Sequence, residues 1–131
     1  MADVALVRIA LPAWQTPRNA WREGIHAAAA ERLAAVGARY GIDDRLALHV
    51  CLYMNESMAA FHDIDNRLKD VLDALQGRAG GSKAVRRLAA LIPNDNQVVR
   101  AVVEKVRPPA GDTSGGWFTV SVVSGESESA A

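Results

Sequence analysis

Residues 62–69, His-Asp-Ile-Asp-Asn-Arg-Leu-Lys, gather the side chains best suited to chemistry. Asp63 and Asp65 stand two apart where an extended segment meets a helix. In extended geometry such residues point the same way, so both carboxylates can face one point. Paired carboxylates repel each other unless a cation lies between them. A hard divalent cation relieves that conflict, and magnesium takes one or two carboxylates together with waters and phosphate oxygens. The ion polarises a phosphate and lowers the pKa of a bound water, which is the chemistry of phosphodiester hydrolysis. Lys69 follows Asp65 by four residues, one helical turn, and brings an ammonium to neutralise charge on phosphate or leaving oxygens. Residues 94–97, Asn-Asp-Asn-Gln, place a third carboxylate, Asp95, directly before a strand-like run, where it could complete a metal site.

Both stretches also suit plain structural work. An Asp just before a helix is the commonest cap, and an Asp/Lys pair one turn apart is ordinary surface decoration. Pro93-Asn94-Asp95-Asn96 reads equally well as a turn.

The elements that must position these residues follow from periodicity. Alternation over 4–11 predicts a strand stopped by Pro12. Thr16-Pro17 reads as a helix start, with a hydroxyl cap and proline at the first helical position. Trp21, Ile25, Ala29, Leu33 and Val36 recur every three or four residues, which predicts an amphipathic helix over about 17–38 ending near Gly37. Residues 46–54 form the clearest strand, apolar on both faces and so expected to be central and covered on each side. Ile64, Leu68, Val71, Leu72 and Leu75 mark a second helix, with Asn66, Lys69, Asp70 and Asp73 on its opposite face. A flexible break at 77–82 precedes a short basic helix expected over 82–91. Residues 97–106 and 117–123 read as two more strands around a Pro/Gly/Asp turn region. The expected architecture is α/β (α+β): a single domain over 1–124 with a mixed sheet of about four strands and two to three helices. A Ser/Gly/Ala tail over 125–131 is expected to be disordered.

Composition bounds the function classes. The 131 residues suit one well-buried core. The single cysteine, Cys51, excludes an internal disulfide and a multi-cysteine zinc site, and its apolar neighbours point to a structural thiol. No stretch approaches the roughly 20 apolar residues of a membrane span, and no leader pattern is evident, so the expectation is a cytoplasmic protein. The 15 basic and 15 acidic residues balance, which argues against a general nucleic-acid binder. They are sorted along the chain, however: from Arg67 to Arg107 nine Lys or Arg face four Asp or Glu. Arg67, Arg78, Lys83, Arg86 and Arg87 are candidate DNA contacts, although a Gly/Ser-rich basic stretch equally suits a solvated loop.

Asp63-x-Asp65-Asn66-x-x-Lys69-x-x-x-Asp73-Ala74-Leu75, followed by Asn94-Asp95-x-Gln97-Val98, resembles the paired signature of the RusA family of Holliday-junction resolvases. The resemblance covers about 4–123. It implies a small α/β homodimer that binds four-way DNA junctions and makes paired symmetrical nicks with magnesium, manganese being able to substitute. Carried over by position, Asp63, Asp65 and Asp95 hold the metal and Lys69 is the catalytic lysine. Asn66, Asp73, Asn94 and Gln97 support the site. One departure stands out: Asn94 occupies a place where the family often has a second aspartate. The rival readings are a non-catalytic branched-DNA-binding protein of the same fold, and an unrelated α/β domain in which these residues are caps and turns.

His26, His49 and His62 show no ligand spacing. Trp14 and Trp21 flank the first turn and helix and offer stacking surfaces, with Trp21 on the apolar stripe and therefore expected in the core.

Overall fold

A computed structural model describes residues 6–78 and 88–123. The elements are β1 (Leu6–Leu11), α1 (Arg18–Val36), β2 (Leu46–Tyr53), α2 (Glu56–Phe61), α3 (Ile64–Leu75), a 3-10 turn (Asp95–Gln97), β3 (Val98–Val106) and β4 (Gly116–Val122). They form one mixed sheet in the order β1-β4-β2-β3. β4 runs antiparallel to both β1 and β2, and β2 is parallel to β3, so β1, β2 and β3 share a direction. The expected α/β domain with a four-stranded mixed sheet is what forms.

Strand alternation builds the core. Val7, Ile9 and Leu11 of β1, Leu46, Leu48, Val50 and Leu52 of β2, and Phe118 and Val120 of β4 turn to one face. There they meet Trp21, Ile25, Ala29 and Leu33 of α1, and Val71, Ala74 and Leu75 of α3. Each large apolar side chain so buried contributes about 1.5–3 kcal/mol. Gly37 ends α1 in the left-handed conformation, φ 70°, and Ala38 N–H donates to Leu33 O at 2.9 Å, a closure that satisfies the last carbonyls. Gly116, φ 116°, lets β4 meet β2, because a methyl there would overlap the Cys51 carbonyl.

β2 is an interior strand, as expected, and side chains cover its second face: His49 meets Trp117 at 5.1 Å and reaches Glu104 at 2.6 Å. Three expectations need correction. Pro17, not Thr16, caps α1, with no side-chain cap bond. The additional short helix is α2, directly after β2, where Asn55 accepts from Met58 N–H at 2.9 Å. Of the basic helix expected over 82–91, the part through 87 lies outside the described residues, and 88–91 is not helical. Lys83, Arg86 and Arg87 fall in that undescribed part, as does the C-terminal tail.

The open α/β topology sets two ends. α2 lies beyond the carboxyl ends of the parallel strands, where Lys105 near the end of β3 donates to Ala59 O at 2.7 Å. α3 then runs back, and its last residue, Leu75, accepts from Leu91 and Ile92 N–H at 2.7 and 3.1 Å, just ahead of the turn that opens β3.

Candidate functional site

The first turn of α3 carries the paired carboxylates. Asp63 is the N-cap, with extended backbone, but its side chain makes no capping hydrogen bond. Asp65 lies inside the helix, so the expected extended pairing does not occur. Instead both side chains meet Asn66, whose backbone N–H donates to Asp65 Oδ1 at 3.0 Å and whose amide donates to Asp63 Oδ2 at 3.4 Å. Asp63, Asp65 and Asn66 are all exposed. The positive end of the helix dipole stabilises two carboxylates at this position without any bound cation.

Beneath them lies an ion cluster that sequence reading missed. Asp70, fully buried, accepts from Arg18 at 2.9 Å and Arg22 at 2.8 Å, while Arg67 Nε approaches its other oxygen at 3.0 Å without a hydrogen-bonding angle. Arg22 also reaches Asp73 at 3.4 Å, and exposed Lys69 pairs with Asp73, one helical turn on, at 3.6 Å. Asp70 and Asp73 are therefore buried against α1 rather than facing solvent. Four cations face two carboxylates here, so the surface beside Asp63 and Asp65 has a cationic support. Arg18 and Arg22, one turn apart on α1, were the available signal; that they meet α3 is a tertiary fact.

Arg67, expected to contact DNA, is 6% exposed and works inside the fold. Its guanidinium lies 4.4 Å from the Trp14 ring centre and donates to His62 Nδ1 at 2.7 Å. Burial first, then its cationic neighbours Arg18 and Arg22, push its pKa down against the opposing pull of Asp70. Burial, followed by Arg67 and Lys105, also lowers the pKa of His62. His62 Nδ1 accepts a proton donor, so the neutral ring carries its hydrogen on Nε2. Trp14 meets His62 at 4.7 Å and Trp21 at 5.0 Å, edge to face, and Trp21 Nε1 donates to Pro12 O at 2.9 Å. Trp21 is buried, as its place on the apolar stripe predicted.

Beside this stack a cavity of about 270 Å³ opens beyond the ends of β1 and β2, walled by Trp14, Tyr53, Met54, Asn55, Met58 and Ser114. Ligands of open α/β sheets bind at this end of the strands.

Asp95 is elsewhere. It sits in the 3-10 turn beyond the far end of α3, at the start of β3, whose first residue pairs with the first of β2. A 12-residue helix, about 18 Å long, separates the two ends. Among the described residues no three His, Cys, Asp or Glu side chains gather closely enough to hold a metal ion. The expected Asp63–Asp65–Asp95 triad is thus not assembled within one chain. The turn residues do structural work: Asn94 accepts from Asn96 N–H at 2.8 Å, and its own N–H donates to Gln97 Oε1 at 3.0 Å. Gln97 Nε2 donates to Gly41 O at 2.6 Å and Asp44 O at 2.8 Å, pinning β3 to the loop before β2. Asp95 itself is exposed, as is Arg78 near the end of α3.

Cys51 is buried, and burial followed by the Glu104 carboxylate pushes its thiol pKa up, which suits an inert structural residue. No described helix is long and apolar enough to cross a membrane. In comparisons with known proteins, no family model matches this chain and no curated protein matches it.

Proposed function

We propose that this chain is a structure-selective endodeoxyribonuclease that nicks branched, four-way DNA. The observation that carries the reading is the placement of Asp63 and Asp65: two exposed carboxylates at one helix start, bonded only to Asn66, with no capping bond from the Asp63 side chain, set above an arginine cluster. The RusA-like order of the motifs supplies the substrate class.

The pair fits a hard divalent cation such as magnesium, which accepts one or two carboxylates and fills its shell with water and phosphate. When bound, that ion supplies a polarised phosphate and a more acidic water. The full triad does not fit within one chain, because α3 holds Asp95 at its other end; a third carboxylate would have to come from a second copy. The chain's own groups do the rest. Lys69, tethered by Asp73, presents an ammonium to phosphate oxygens. His62 offers an Nε2 hydrogen as a donor, while Arg67 occupies the nitrogen that a general base would need. Trp14 and the neighbouring cavity offer a stacking surface for an unpaired base. Paired symmetrical nicks call for a two-fold dimer, since one subunit reaches one strand at a time.

The separation of Asp95 from the pair favours a second reading, a branched-DNA-binding protein without cleavage. One experiment decides between them: incubation with a synthetic mobile four-way junction and magnesium or manganese, beside linear duplex and Asp65→Asn. Paired nicks in the junction alone, absent in the variant, support the nuclease. Junction binding without nicks in either metal selects the second reading, and no binding overturns both.

A further inference from the structure

β3 is a nine-residue edge strand, and among the described residues nothing pairs with its outer side. Its exposure differs from that of the other edge, β1. β1 buries every second residue, whereas Val99, Arg100, Ala101 and Val102 in β3 are all exposed, with Val99 at 45% and Val102 at 48%. An open edge carrying apolar side chains is a template for another strand.

The backbone fixes which groups are free. Met54 N–H donates to Val106 O at 2.9 Å, so Val106 turns its polar groups toward β2. Groups alternate along a strand, so Glu104 and Val102 also face β2, while Ala101, Val103 and Lys105 present theirs outward. Antiparallel pairing of β3 with the β3 of a second copy, on a two-fold axis at Val102, sets Ala101 opposite the partner's Val103, and the reverse. Those are the outward-facing residues, and they exchange four backbone hydrogen bonds. Val102 then meets Val102 of the partner subunit as a non-hydrogen-bonded pair, the closer of the two antiparallel spacings.

The charges select the same register. Arg100, Val102 and Glu104 share one face of the sheet, being partners of Ala47, His49 and Cys51 in β2. The axis at Val102 places each Arg100 opposite Glu104 of the other copy. Moving the axis to Ala101 sets Arg100 against Val102 and Glu104 against Val98. Moving it to Val103 sets Glu104 against Val102 and Arg100 against Val106. All three axes match the outward backbone groups, but only the Val102 axis pairs both charges and sets valine on valine; Glu104, already reached by His49 at 2.6 Å, then lies between His49 and the incoming arginine. Opposite charges directly across a strand pair favour pairing, and like charges oppose it.

We infer that this chain forms a two-fold dimer through β3, joining two four-stranded sheets into one of eight. The inference rests on β3 itself and names the surface for the two-fold partner that the nuclease reading requires.

The test uses the full chain and sedimentation equilibrium. The wild type is expected to be a dimer, Arg100→Glu to weaken it at least about tenfold, and the double swap Arg100→Glu/Glu104→Arg to restore it. Thermal melts of Arg100→Glu check that the fold survives. Val102→Cys, under mild oxidation, should link the copies through that position, whereas buried Cys51 should leave the wild type unlinked. A wild type monomeric at its highest soluble concentration overturns the inference and the two-fold requirement with it. A dimer that tolerates Arg100→Glu and fails to link at position 102 uses another face; that outcome overturns the β3 interface and leaves the nuclease reading standing.

Discussion

The two ends of α3 use nearly the same residue types for opposite purposes. At its start, Asp63, Asp65 and Asn66 form a loose, exposed group, and the strong interactions lie one layer below, between Asp70, Asp73 and three arginines. Beyond its end, Asn94, Asn96 and Gln97 close a tight turn in which Gln97 makes three hydrogen bonds, one within the turn and two that hold β3 to the loop before β2. Polar motifs stay exposed where a helix dipole makes carboxylates with few partners inexpensive. They become structural where a strand must start against a loop, because buried amide groups need partners.

Substitutions can break or sharpen that contrast. The largest effect is expected at the buried layer: Asp70→Ala leaves the Arg18, Arg22 and Arg67 guanidiniums without their shared carboxylate. Removing one partner of a buried ion pair costs roughly 3–5 kcal/mol. Urea denaturation with an unchanged m-value would measure it; a loss near zero would mean that the cluster is solvated. Gln97→Ala comes next, at about 1–3 kcal/mol, because it strands the Gly41 and Asp44 carbonyls and the Asn94 N–H. Asp63→Asn and Asp65→Asn should shift stability by less than about 1 kcal/mol, since each loses only a favourable place at the helix start. The contrast fails if either variant destabilises as much as Gln97→Ala. Asp95→Asn should be equally mild for folding, so its effect on junction cleavage reports directly on whether that carboxylate takes part.

The smallest effect concerns pH. His62 has a folded pKa below its ordinary value of 6.5, chiefly through burial and then through Arg67. The unfolded chain therefore binds its proton more readily. The favourable neutral-ring contribution is present above pH 6.5 and is lost as pH falls through the folded pKa. Denaturation midpoints followed from pH about 7 to 5 should fall less steeply in His62→Phe than in the wild type. Equal slopes would detach His62 from the Arg67 contact.

Much of the framework was legible because it rests on local periodicity. The apolar stripe from Trp21 to Leu33, the alternation through Leu46–Tyr53 and the stop at Gly37 each follow from backbone repeat and side-chain type. α2 escaped notice because six residues hold too little periodicity to register, although Asn55 supplied its cap. On α3 the polar spacing was visible, but its meaning inverted. Asp70 and Asp73 were expected on an exposed face, and the pairing of α1 with α3 buried them against Arg18 and Arg22.

By itself, the amino-acid order determined the strands, the two long helices, the mixed α/β class, the structural thiol at Cys51 and the carboxylates at the start of α3. Tertiary structure alone decided which of those charges are buried, that Arg67 serves the core, and that Asp95 stands a helix length away from Asp63 and Asp65. The reason is physical. Periodicity reports which way a side chain points within its own element, whereas distance between motifs depends on the direction in which one element crosses another. A parallel β2–α3–β3 crossover sends the two ends of its helix to opposite ends of the sheet.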